Sequence, residues 1–342
     1  MIVIEAVGHE AHDPDRDAPL EGRPYWERPA RAHALRGAVQ ALGLPIAAAP
    51  DHGMAAIRAV HDAPYLAFLA DAMARWTQAG LPGPAVRGAA FAVRHMHHAP
   101  RVVGGQAGYY LSGLSSPLLA ATWPAAVTSA HAAVEAAERI LAGARSAYAL
   151  CRPPGHHAYA DLAGGFCYLN NVAIAAQHLL ARGSGTVAIL DFDVHHGNGT
   201  QHIFYARDDV RFVSVHGDPA SLYPYFAGYA EEIGTGAGLN ATLNLPLPPG
   251  TGDAGFVAAI ERGLETILRQ PPSVLLVSLG FDAHLGDPTA NLAASREGFR
   301  RAGALIKAAA VPTLLVQEGG YIVERLADNL TGFLEGFLGR TP

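Results

Sequence analysis

Short, continuously apolar runs alternate with stretches of helical spacing through the second half of the chain. Ala147–Leu150, Val187–Leu190, Val210–Val215, Val274–Leu279 and Thr313–Val316 each read as a strand with no polar face. Between or after them, Asn171–Ala181, Gly255–Leu268, Ser295–Ala310 and Ile322–Leu338 carry helical periodicity. Apolar strands separated by helices predict a parallel sheet covered on both faces. Upstream, Ile2–Val7 reads as a first strand. Pro29–Leu42, Pro64–Trp76 and Pro124–Gly143 read as helices, with proline placed for a first turn. His9 to Pro29 reads as a long loop, and Gly80 to Gly104 as a long irregular segment of the kind that is usually functional or interfacial. No repeat or linker divides the chain, so one α/β/α domain over residues 1–342 is expected.

Composition narrows the class without naming the chemistry. Half of the 342 residues are hydrophobic and 16% are charged, enough to bury a core and to exclude wholesale disorder. A formal net charge of -6 argues against a nucleic-acid surface. No stretch has the length and apolarity of a membrane span. Two cysteines, Cys151 and Cys167, cannot make a disulfide scaffold and fit a reducing cytoplasm. The 17 histidines are the unusual count, and their positions carry the functional reading.

Ligands in open α/β sheets sit outside the carboxyl ends of the strands. Four strand ends here carry titratable groups: Cys151-Arg-Pro-Pro-Gly-His156-His157, Asp191-Phe-Asp193-Val-His195-His196-Gly-Asn198, Gly280-Phe-Asp282-Ala-His284 and Gln317-Glu318-Gly319-Gly320-Tyr321. In extended backbone Asp193 and His195 point to one side, so both can face one ion, and Asp282 can supply a third ligand. Two carboxylates and a neutral imidazole balance a divalent cation and leave a position open. His156 and His157 suit proton shuttling, with Asp191 and Asn198 as candidate partners behind them. An Asp partner favours the imidazolium more than an Asn does, so the two rings should differ in charge. Tyr321, after two glycines, can donate to an oxyanion, and Phe166 can wall an apolar tunnel. His61-Asp62 reads as a helix cap. His12, His33, His52, His131, His178 and His202 read as surface or helix-face residues, and His95, His97 and His98 as a loop run with at most a minor binding role.

Arg152-Pro-Pro-Gly-His-His-Ala158, Gly165-Phe-Cys-Tyr-Leu-Asn-Asn171, Asp191-Phe-Asp-Val-His-His-Gly-Asn-Gly-Thr200, Ser278-Leu-Gly-Phe-Asp282 and Glu318-Gly-Gly-Tyr321 together resemble the histone deacetylase family. The Gly105-Gln-Ala-Gly-Tyr-Tyr110 stretch and Ser214-Val-His-Gly-Asp-Pro219 resemble its bacterial acetylpolyamine amidohydrolase branch. The resemblance implies the three-layer arginase–deacetylase fold with a central parallel sheet of about eight strands. It implies zinc, or iron in the cell, on Asp193, His195 and Asp282, and a structural potassium ion near Asp191, Asp193, His195, Ser214 and Val215. It implies His157 as general base and acid, His156 as electrostatic partner, Tyr321 as oxyanion donor, and Gly165, Phe166 and Gly319 against the substrate. It also implies a cytoplasmic homodimer joined through an insertion near residues 80–110, acting on acetylpolyamines or, alternatively, on acetyl-lysine and other small acylated amines. Where the polyamine branch carries an acidic residue before Gly105, this chain has Val103-Gly104, leaving Asp13, Asp15, Asp17 and Glu21 as sources of charge for a cationic tail.

Two competing readings remain at this stage. A two-metal ureohydrolase would need an Asp-X-Asp where Asp282-Ala-His284 stands. A binding module without catalysis would have no use for His156, His157 and Tyr321 together.

Overall fold

The structure is a computed structural model and describes residues 1–93, 95–96 and 98–340. Among them, eight strands form one wholly parallel sheet in the order β2-β1-β3-β8-β7-β4-β5-β6. They are β1 (Ile2–Glu5), β2 (Ile46–Ala48), β3 (Ser146–Leu150), β4 (Val187–Asp191), β5 (Val210–Gly217), β6 (Thr242–Leu247), β7 (Val274–Leu279) and β8 (Thr313–Gln317). Every residue of β4, β7 and β8 is buried, which is why these strands read as unbroken apolar runs.

Two apolar layers flank the sheet. One gathers the helices Ala63–Gln78, Thr122–Leu141 and Asn171–Ala181 around Tyr65, Phe68, Val134 and Ile174. The other gathers Pro29–Ala41, Asp253–Leu268, Arg296–Ala308 and Val323–Leu338 around Leu35, Phe256, Phe299 and Phe333. The expected α/β/α layering and the sheet of eight strands are therefore observed.

Boundaries shift by a few residues, as frayed ends do. The irregular segment from Gly80 to Gly104 runs into a helix, Val103–Tyr110, that was not expected. Strands β2 and β6, both missed in the sequence, lie at the two sheet edges. The strands whose ends carry the chemistry, β3, β8, β7 and β4, are consecutive neighbours in the sheet. The fold thus gathers four segments spread between positions 151 and 321 of the sequence at one place.

Candidate active site and metal centre

The turn after β4 begins with Asp191 and runs back over the sheet, stitched by its own carboxylates. Asp191 Oδ1 accepts from the Asp193 amide at 3.1 Å, and Asp193 Oδ1 from the His195 amide at 3.0 Å. Asp282, after β7, accepts from the Val194 amide at 3.0 Å through Oδ1. Its Oδ2 is buried and has no hydrogen-bond partner. Gly319, after β8, donates its amide to Asp193 Oδ2 at 2.8 Å. A Cβ at Gly319 would collide with both carboxylates, so only glycine permits this approach. Gly319 therefore packs behind the carboxylates and is not among the residues lining the cavity described below.

Ligand atoms of Asp193, His195 and Asp282 lie within 4.8 Å of one another, and all three side chains are buried. His195 Nε2 sits 2.9 Å from the Thr289 carbonyl, which can only accept, so Nε2 carries the hydrogen. Nδ1 then faces Asp193 Oδ1 at 3.2 Å and Asp282 Oδ2 at 3.3 Å, and these carboxylates hold the imidazole well above the usual histidine range against the opposing effect of burial. Burial and the neighbouring Asp193 charge push the Asp282 carboxyl up to about 7. Two buried carboxylates, one with an orphaned oxygen, and an imidazole nitrogen aimed at both form a donor set that a divalent cation would satisfy by displacing the proton on that nitrogen.

The two histidines after β3 occupy different electrostatic surroundings. Burial alone would lower the His156 imidazole, but Asp191 and Asp193 more than reverse this and hold it up at about 10. Its Nδ1 is 2.9 Å from Asp191 Oδ2. His157 is pushed well below the usual histidine range by burial and then by the charges of His156 and His195. Its Nδ1 lies 2.6 Å from Asn198 Oδ1, and Asn198 Nδ2 donates to the Tyr159 hydroxyl at 3.0 Å. That network assigns the hydrogen to Nδ1 and leaves Nε2 as a free acceptor. The ring centroids of His156 and His157 are 4.0 Å apart. His156 is thus pushed up and His157 down, the first by the Asp191 and Asp193 carboxylates and the second by burial and its charged neighbours.

His157, His195, Phe166, Gly165 and Tyr321 line one cavity of about 180 Å³, together with Ser115, Tyr223 and Thr289. Phe166 and the preceding Gly165 both have positive φ, 67° and 54°, so the aromatic ring is held over the cavity by strained backbone. Phe166 packs edge-on to Tyr321 at 5.5 Å between centroids. Burial pushes the Tyr321 phenol well above its usual value, and it remains a hydrogen-bond donor across the physiological range.

Sequence reasoning missed Ser115, Tyr223 and Thr289, which come from loops without a motif. It also missed the support beneath Tyr321. Arg31 donates through Nε to the Gly320 carbonyl at 2.6 Å and through Nη2 to the Glu318 carbonyl at 2.7 Å. Glu27, fully buried, joins Arg31 at 2.8 Å and Arg152 at 2.9 Å. Glu318 Oε2 in turn accepts the amides of Gly155 and His156 at 2.7 and 3.1 Å.

Several histidine readings are corrected. His61 caps nothing: it is buried, and its Nε2 accepts the Asn170 amide at 2.9 Å. Asp62 makes no side-chain cap bond. His12 is fully buried, against the Thr122 hydroxyl at 3.1 Å, and His131 is buried on its helix. His33 and His202 are exposed, as expected. His95 and His98 are exposed, and His97 lies outside the described residues.

A parallel sheet with a buried two-carboxylate, one-imidazole cluster and a histidine pair at its strand ends defines a metal-hydrolase architecture. The histone deacetylase domain matches residues 25–337, and the chain belongs to that family. It is 47% identical over 314 residues to an acetylpolyamine amidohydrolase of Burkholderia pseudomallei, covering 91% of each chain. It is 44% identical to acetylpolyamine amidohydrolase 1 of Pseudomonas aeruginosa, covering 99% of each. A crystal structure of the acetylpolyamine aminohydrolase from Burkholderia pseudomallei superposes with a TM-score of 0.94 at 44% identity, covering 99% of both chains. Among the described residues, no helix is long and apolar enough to cross a membrane.

Proposed function

We propose that this chain hydrolyses the acetyl-amide bond of small acetylated amines, acetylpolyamines foremost, to acetate and free amine. The reading rests on one observation. The ligand atoms of Asp193, His195 and Asp282 converge, and His195 lines one cavity with His157, whose imidazole is pushed well below its usual range, and with Tyr321. The names of the relatives support the amine class.

A divalent cation on Asp193, His195 and Asp282, zinc or iron in the cell, would polarise the acyl carbonyl and acidify water. The chain's own groups do the rest. His157 Nε2 takes the proton of the attacking water and returns it to the departing amine nitrogen. His156, held charged between two carboxylates, does not compete for that proton and adds positive potential beside the oxyanion. The Tyr321 hydroxyl donates to that oxyanion. Gly165 and Phe166 wall the acyl side. A structural potassium ion near Asp191, Asp193, His195, Ser214 and Val215 belongs to the same proposal; strand pairing sets Asp191 beside Ser214. So does a single cytoplasmic domain dimerising through residues 80–110, where Val93, Met96 and Val102 are exposed.

The test compares zinc-loaded protein on acetylputrescine, an acetyl-lysine peptide and a neutral acylamide, with and without chelator. Acetylputrescine should be turned over fastest and only with metal. Equal turnover of the neutral amide would remove the polyamine assignment. Hydrolysis that survives chelation would remove the metal-assisted reaction.

A further inference from the structure

A second cavity of about 180 Å³ is also lined by Phe166. It shares Ser115 and Phe166 with the catalytic cavity, and Tyr25 stands across it, edge-on to Phe166 at 4.9 Å between ring centroids. Its charged lining consists of Arg23 and Arg87, with no carboxylate.

The nearby acidic residues are engaged elsewhere. Asp17 pairs with Arg16 at 2.6 Å, Asp13 accepts the Arg16 amide, and Asp15 accepts the Tyr25 amide at 3.4 Å and lies 3.9 Å from Arg28. Glu21 is exposed and does not line the cavity. Arg23 forms no ion pair among the described residues and is exposed, closing a turn through its amide on the Leu20 carbonyl at 3.0 Å. Arg87 uses one Nη2 hydrogen on the Ala18 carbonyl, but its Nε is buried without an acceptor. A buried guanidinium N–H facing no acceptor is costly, and a carboxylate is the group whose geometry matches the guanidinium fork.

We propose that this cavity is a carboxylate subsite, formed by Arg87 and Arg23, that receives the far end of an acylated amine whose acyl group lies in the catalytic cavity. The substrate range then extends from acetylated amines to acetylated amino acids whose carboxylate is a flexible chain away from the amide. The inference rests on the amide-hydrolase reading only for which end of the ligand faces Tyr321.

Calorimetric titration of the metal-free, full-length protein tests it without requiring turnover. The two probes are N-acetyl-ε-aminocaproate and N-pentylacetamide, which differ in the terminal carboxylate. The acid should bind roughly tenfold tighter, the scale of one charge-assisted hydrogen-bond pair. The preference should shrink toward one in Arg87→Gln and in Arg23→Gln. The second variant is exposed and keeps the fold testable if the first unsettles the Ala18 contact. Equal affinity of the two probes, or a preference unchanged in both variants, overturns the subsite. Hydrolysis of either probe after zinc is restored reports separately on the reaction, so the two proposals fail on different measurements.

Discussion

The Arg31 guanidinium lies 4.8 Å from the centre of the Tyr321 ring while its Nε holds the carbonyl of the residue before it, Gly320. One side chain therefore fixes both the backbone that presents the phenol and the face of the phenol ring. Arg31 is buried, and its charge is balanced by Glu27, whose carboxylate also holds Arg152. Arg31→Lys keeps a charge but loses the planar fork that spans Gly320, Glu318 and Glu27. Turnover should fall about tenfold or more. Arg31→Ala should also unpair a buried carboxylate and cost roughly 3–5 kcal/mol of stability. Steady-state kinetics beside thermal denaturation separate the two effects: Arg31→Lys with unchanged turnover removes Arg31 from the positioning of Tyr321.

Tyr321→Phe keeps the ring against Phe166 and Arg31 and deletes only the hydroxyl. Loss of one oxyanion donor costs on the order of a hundredfold in turnover, so kcat should fall by about that factor while KM and melting temperature hardly move. Full activity in this variant would exclude the phenol from the reaction.

The metal cluster predicts opposite signs for activity and for metal-free stability. Asp282 is held up at about 7 by burial and by Asp193, so its ionised form is unfavourable in the folded, metal-free chain. Asp282→Asn removes that charge. The variant should lose zinc binding and hydrolysis, yet melt at or above the temperature of chelated wild-type protein at pH 8. Calorimetry of both proteins in chelator checks this; a variant that melts well below the chelated wild type would show that the carboxylate is not under electrostatic strain.

Much of this site was legible because its chemistry is local. Asp193-X-His195, the His156-His157 pair and Gly319-Gly320-Tyr321 each sit within a few residues of an apolar strand, and parallel pairing brings such ends together. What stayed hidden depends on distant contacts. Arg31 and Gly320 are 289 residues apart, and nothing in the spacing of either announces the other. Strand β2 has three residues, none of them buried, and β6 carries Asn244 and Pro246, which break its strand pattern. Proline is tolerated there because β6 lies at the sheet edge. His61 looked like a cap because polarity next to a helix start is the usual sign of one; its burial against Asn170 is a tertiary fact.

That buried His61 gives a pH prediction away from the metal cluster. Burial lowers its imidazole from 6.5 to about 4, and its Nε2 is the acceptor of the Asn170 amide, a bond that protonation there would break. In the unfolded chain the ring titrates near 6.5. Between these values the unfolded state binds the proton and the folded state does not, so stability is full above about 6.5 and falls as pH drops toward 4. The change from this one residue is roughly 3 kcal/mol across that window. His12, lowered by burial to about 3, and His216, lowered to about 4, act in the same direction. His61→Gln offers a side-chain oxygen for the same amide and does not titrate. Its stability, measured by denaturant unfolding from pH 7 to pH 4, should fall less steeply than that of the wild type. Parallel curves for the two proteins would show that His61 is protonated in the fold and contributes nothing to acid unfolding.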